Sequence, residues 1–145
     1  MSDARVAAWR AFLAAQRRVL QRLEHELQDA HGIGLTWYEV LHKLHEAHDR
    51  RLHMAELADS VLLPVEGVAR VVARLEDANL VRTHRCLLHG QEWEVALTST
   101  GRTRISRAME THGRGIDEHF GVHLSDEEAV ALTRALGRMA EPAGA

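Results

Sequence analysis

Arg70 and Arg74 stand four residues apart in VARVVARLEDANLVR, so on a helix they share one face, with Glu66 one turn before Arg70. Arginine holds a phosphate or a guanine edge through two parallel hydrogen bonds, which is what a helix lying in a DNA major groove requires. In the DNA reading, Arg70 reaches a base edge or phosphate and Arg74 holds backbone. In the plain reading the face is solvated, Glu66 pairs with Arg70, and Arg74 pairs with Glu76 or Asp77. Val65 and Ala69 can touch thymine methyls, and Glu66 can accept from a cytosine amine, although a carboxylate beside phosphates also repels them.

Other reactive residue types are plentiful but poorly arranged for chemistry. Eleven histidines invite a metal reading. His42, His45 and His48 recur every third residue and drift around a helix, so only adjacent pairs can share an ion. His112, His119 and His123 lie further on. There is no H-E-x-x-H and no cysteine pair, so no metal site is assigned and most of these histidines read as solvated surface. The lone Cys86 cannot form an intrachain disulfide; Arg85 beside it favours a thiolate, but an inert strand residue is the plainer reading. No G-x-S-x-G, no phosphate loop and no nucleophile beside a base is present, so the chain does not read as an enzyme and calls for no cofactor.

Charge is unevenly spread. The net charge is −3 over 145 residues, but residues 50–107 carry nine arginines against seven carboxylates, whereas residues 108–145 carry three against seven. A basic middle third inside an acidic chain permits a polyanionic partner. The 46% hydrophobic content supports a packed core and the 27% charged content a solvated surface. No apolar run nears the roughly 20 residues that span a bilayer, and the N-terminus has no secretory pattern, so a cytoplasmic location without membrane contact is expected.

These residues must be held by six helices and a hairpin. Val6, Trp9, Phe12, Leu13, Val19, Leu20, Leu23 and Leu27 recur at helical spacing over 4–30, and His31-Gly32-Ile33-Gly34 breaks the pattern. Thr36 and Glu39 read as a capping box that opens a helix to about Ala47–Asp49. A short helix follows in HMAELADSVLL. Pro64 suits the first turn of the next, which buries Val68, Val71, Val72 and Leu75 and ends near Asn79. LVRTHRCLL and EWEVALT read as two strands joined around His89-Gly90-Gln91. Thr98 to Gly101 opens a long helix to about Phe120, and Ser125 with Glu128 caps a last one to about Met139. A short helix, a turn, a second helix and a hairpin make a winged helix-turn-helix. The apolar residues of the first helix then need a partner, of which the terminal helices of a second copy are the simplest.

In their order and spacing, LTWYEVLHKL, MAELADSVLL, VARVVARLEDANLVR, VALTSTGR and LSDEEAVALTRALGRM resemble the MarR family of bacterial transcriptional regulators over nearly the whole chain. The run R-x-x-x-R-L-E-x-x-x-L-V-R followed by a hairpin and L-T-x-x-G carries most of that resemblance. It implies an obligate homodimer with interleaved terminal helices, a pseudo-palindromic DNA operator, and release by a small, often aromatic, ligand. It places the effector pocket on the first two helices, where Trp9, Phe12, Trp37, Tyr38 and His42 lie. For Trp9 and Phe12 dimer and core packing is the competing role, whereas Tyr38 and His42 sit four apart and carry polar tips.

The chain departs from the family in two places. Pro64, Gly67 and Ala69 stand where the family carries a Ser cap and polar readers. The hairpin tip lacks the family's Arg, leaving His89 as its one cation, with Arg82, His84 and Arg85 at the base of the wing to hold phosphates instead.

The resulting expectation is mainly α with a small β-hairpin wing: a winged helix-turn-helix with N- and C-terminal dimerisation helices. Residues 1–145 form one chain of this kind, with 1–34 and 101–145 for dimerisation and 35–100 for DNA. Val65, Glu66, Gly67, Ala69, Arg70, Arg74, Arg82, His84, Arg85 and His89 are the candidate DNA contacts. The expected function is a dimeric, ligand-responsive transcriptional regulator, acting as a repressor. The alternatives are a winged-helix or ligand-binding module that has lost most DNA binding, and a metal-responsive regulator.

Overall fold

The structure is a computed structural model that describes residues 2–62, 67–86 and 92–142. Pro64, Val65 and Glu66, the Cys86 side chain and the hairpin tip with His89 lie outside the described residues.

Helix α1 runs Asp3–His31 and stops where Gly32 takes a left-handed conformation (φ 65°), its N–H donating to the Gln28 carbonyl at 2.9 Å. Helix α2, Leu35–Glu46, begins one residue before the expected cap. Thr36 therefore lies inside the helix, and Gly34 is the N-cap with no side-chain bond. The free helix end is satisfied from another element: the Leu35 N–H donates to Glu24 Oε2 at 2.5 Å. Glu39, expected to reach back within its own helix, accepts instead from the Leu62 N–H at 2.8 Å. Two carboxylates that read as local caps or surface charge thus tie α2 to α1 and to the segment after α3.

A turn with Asp49 and Arg50 both at positive φ (55° and 57°) feeds strand β1, Arg51–His53, and then helix α3, Met54–Ser60. Helix α4 spans Val68–Asp77 and follows Gly67, the N-cap at φ 69°. It is shorter at its start than the pattern from Pro64 suggested, because a left-handed residue cannot continue a helix. Asn79 takes the expected left-handed position (φ 63°) after it. Strands β2, Val81–Cys86, and β3, Glu92–Leu97, form the wing. The sheet has three strands in the order β1-β3-β2, not two, all antiparallel, with Leu52 opposite Val95 and Thr83 opposite Val95 from the other side. Three residues with no β-branched side chain carry no strand signal of their own; the free edge of β3 recruits them.

Helix α5, Ser99–His119, starts at Thr98, whose Oγ1 accepts from the Gly101 N–H at 2.9 Å and donates to the Asn79 carbonyl at 2.7 Å. After a short turn at Gly121–His123, helix α6, Asp126–Ala140, opens on the expected capping box: Ser125 N–H to Glu128 Oε1 at 3.0 Å and Glu128 N–H to Ser125 Oγ at 3.1 Å.

One core joins these elements. Leu23 and Leu27 of α1, Val40, Leu41 and Leu44 of α2, Leu57 of α3, Val72 and Leu75 of α4, Val81 and Val95 of the sheet, and Ile105 and Ala108 of α5 are all buried. The other half of α1 contributes nothing to it. Residues 2–18 are all exposed, with Trp9 at 59%. Helix α6 likewise has no buried residue. No described helix is long and apolar enough to cross a membrane.

Candidate nucleic-acid interface

The core stripe of α4 decides what its other face presents. With Val68, Val72 and Leu75 turned inward, Ala69, Arg70, Ala73 and Arg74 are turned outward and exposed. Among the described residues neither Arg70 nor Arg74 has an ion-pair partner. The pairing of Arg74 with Glu76 does not form. Both carboxylate oxygens of Glu76 are committed to the start of the wing, accepting from the Thr83 N–H at 2.7 Å and from its hydroxyl at 3.0 Å. Gly67 stands beside this face: a Cβ there would lie 3.6 Å from the Arg70 Cβ.

The wing sorts its cations by face. On one face, Glu94 accepts His84 at 2.9 Å and Arg51 at 3.2 Å on the same oxygen, its side chain 15% exposed. His84 was expected to hold phosphate, but in this arrangement it is engaged with a carboxylate. Arg82, on the same strand face, is exposed and has no ion-pair partner among the described residues. On the other face, Arg85 lies over the Trp93 ring, 5.6 Å from its centroid, and the two are direct cross-strand partners. Trp93 also walls a groove of about 590 Å³ with Met54, Ala58, Val68 and Ala69, between the wing and the start of α4. Trp93, Glu94 and Arg51 escaped the sequence reading. The alternation of EWEVALT puts Trp93 and Glu94 on opposite faces, but their partners depend on strand register.

The aromatic candidates fall into two separate groups. Trp9 and Phe12 stack on each other, with centroids 6.1 Å apart, on the exposed half of α1. Leu23, the first buried residue of α1, lies fourteen positions beyond Trp9, which is about 21 Å of helix. Tyr38 is 5% exposed and lies between two imidazoles, His42 at 5.6 Å and His112 of α5 at 4.2 Å. Burial, with Glu39 and Glu46 nearby, pushes the Tyr38 hydroxyl up to about 12, so it stays a neutral donor. Trp37 packs part-buried against the core. His112 is the member that sequence spacing could not supply, since it comes from another helix.

Two of these histidines have buried Nδ1 atoms with no hydrogen-bond partner among the described residues, His45 and His112. Burial lowers the pKa of both. Around His112, His42 lowers it further while Glu39 and Glu26 oppose; around His45, Arg50, His42 and Arg102 lower it while Glu46 opposes. A histidine whose folded pKa is depressed contributes stability that is intact above the unfolded value of about 6.5 and is lost as pH falls below it. The urea midpoint is therefore expected to fall between pH 7.5 and 5.5, and to fall less in the His45→Gln/His112→Gln double variant. An equal fall in both proteins would reject these two groups as its source.

No family model and no curated protein matches the chain. Solved structures do. AbsC, a MarR family transcriptional regulator from Streptomyces coelicolor, is 29% identical, with a TM-score of 0.87 over 97% of this chain and 94% of that one. Sco3205, a MarR family transcriptional regulator from the same organism solved in complex with DNA, is 26% identical, with a TM-score of 0.89 over 100% and 93%. BpsR from Bordetella bronchiseptica, whose DNA binding is regulated by 6-hydroxynicotinic acid, shares the fold at 18% identity, with a TM-score of 0.80 over 92% of each chain.

Proposed function

We propose that the chain, similar along nearly its whole length to MarR family transcriptional regulators, is a ligand-responsive, DNA-binding homodimer acting in the cytoplasm as a repressor. The observation that carries this reading is the face of α4. Two exposed arginines without ion-pair partners among the described residues share the second helix of a helix-turn-helix, in a chain similar along its whole length to a regulator solved with DNA. Residues 35–100 form the DNA-binding region. The exposed half of α1, within 1–34, and α6, within 101–145, serve dimerisation. Two copies set α4 into successive major grooves of a pseudo-palindromic operator, about 34–36 Å apart. Arg70 reads a base edge, and Arg74, Arg82 and Arg85 hold phosphates.

The effector is a small aromatic molecule bound near Tyr38, His42 and His112. That cluster joins α2 to α5, so a ligand there biases the angle between the DNA-binding region and the dimer arms. The regulated state of BpsR, a protein of the same fold, supports this kind of control.

A gel-shift series on the promoter of the chain's own gene, with salt varied, tests the proposal. A specific complex whose affinity falls steeply with salt is expected. No specific shift at any salt favours the second reading, a winged-helix module that has lost DNA binding. The engagement of His84 with Glu94 is the observation behind that alternative.

A further inference from the structure

Where α1 and α5 pack together, side chains far apart in sequence converge. Glu26 of α1 and Glu118 and His119 of α5 each place one ligand atom within 4.8 Å of the other two. His119 Nε2 contacts Glu26 Oε1, and the His119 side chain is only 12% exposed. The approach depends on Gly115, one turn before His119. A Cβ at that position would meet Leu23 Cδ2 at 2.6 Å and Glu26 Oε2 at 2.9 Å. A side chain there would turn the Leu23 and Glu26 tips aside and carry the Glu26 carboxylate away from His119.

We propose that Glu26, Glu118 and His119 form a binding site for a divalent transition-metal ion of the zinc type, pinning α1 to the end of α5. The donor set selects the class. An imidazole with two carboxylates suits zinc and its first-row neighbours, whereas calcium and magnesium favour oxygen alone. The two carboxylates match the ion's charge, and both α5 ligands sit in the helix's last turn, where unpaired carbonyls add negative potential. Asp29, Thr111, Arg114 and Asp117 line an open groove beside Glu26 and Glu118, which leaves room for water as the remaining ligand.

Arg22 is the opposing group. Its Nη1 lies 3.4 Å from His119 Nδ1 and can donate to it only while that nitrogen is unprotonated. In that tautomer the Nε2 proton is the one donated to Glu26. A metal ion on Nε2 displaces that proton, and Nδ1 takes one up, so the ring stays neutral and Arg22 must turn away. Arg22 is exposed and free to do so. It therefore competes with the metal.

The test uses the full-length chain after chelator treatment, titrated with Co²⁺ as a visible probe and then with Zn²⁺, with thermal unfolding followed in parallel. One Co²⁺ per chain is expected, displaced by Zn²⁺, with a rise in the unfolding temperature. His119→Asn and Glu118→Gln should each weaken binding by at least about tenfold. Glu118 is exposed, so its variant keeps the fold even if His119→Asn does not. Arg22→Ala should tighten binding, and His48→Ala, at a 97% exposed side chain, should change nothing. Absence of Co²⁺ binding would overturn the proposal. Binding unchanged in both Glu118→Gln and His119→Asn would overturn it too, by placing the ion on other histidines.

Discussion

Arg70→Ala is expected to weaken operator binding by about 1–3 kcal/mol, roughly a 5- to 150-fold loss, while leaving the fold intact. The size follows from what the side chain does in the proposed complex. A bidentate arginine on a base edge gives up both hydrogen bonds on truncation and leaves the base's acceptors facing alanine. The fold is spared because Arg70 is exposed and bears on no buried contact, and such positions move stability by no more than about 0.5 kcal/mol. Arg70→Lys separates the two modes of contact. A point charge on phosphate tolerates lysine, whereas a fork on guanine does not. Fluorescence anisotropy on operator and scrambled duplexes provides the measurement. If Arg70→Ala binds both as the parent does, Arg70 is not a reader. Arg82→Ala serves as the phosphate control: it should weaken both duplexes alike and reduce the salt slope by about one.

Gly101→Ala carries the larger expected effect on stability. A Cβ at that position would lie 2.1 Å from the Leu80 carbonyl oxygen and 3.0 Å from its carbon. Neither atom can rotate away, because both are backbone. The same carbonyl accepts the Thr98 N–H at 3.1 Å, and the Leu80 N–H donates to Leu75 at 2.9 Å. Relief of the clash must therefore pull α5 off the end of α4 and break the Thr98 cap. Overpacking a side chain costs about 1–3 kcal/mol, and a clash against fixed backbone should reach the top of that range or pass it. Urea unfolding measures it, and a loss below about 1 kcal/mol would reject the argument. Gly113→Ala is the internal contrast. That glycine is exposed within α5 with nothing near its missing Cβ, so the same substitution should stabilise by about 0.8–1 kcal/mol.

Gly101 also shows how far the sequence could be read. The L-T-x-x-G run marks this junction in the sequence, and periodicity together with start and cap signals placed all six helices. Asn79 and the Ser125 cap were legible because each is a local decision, made by one residue's φ or by side chains three apart. Thr36 misled for the complementary reason. Its capping box is locally sound, but Glu24 reaches the end of α2 from another helix and Glu39 is drawn to Leu62. Strand β1 was invisible because its pairing belongs to the partner strand. In the candidate site, the shared outer face of Arg70 and Arg74 followed from their spacing. The engagement of His84 and the bracing of Arg85 required strand register, and His112 beside Tyr38 required the packing of α5 on α2.

In the proposed dimer, the bare first half of α1 ties the thermodynamics of folding to the number of chains present. Residues 3–18 form about 24 Å of helix that holds Val6, Trp9, Phe12 and Leu13 exposed, without cover from the other described residues. In the proposed dimer that surface is buried only by association, so the unfolding midpoint must climb with protein concentration. Operator occupancy then follows the square of the free-chain concentration when chains are scarce. It also follows that a chain carrying Arg70→Ala, folded but unable to read, would mix with intact partners and silence them. Dominance in a co-expression reporter would be the genetic signature of this uncovered stretch of α1.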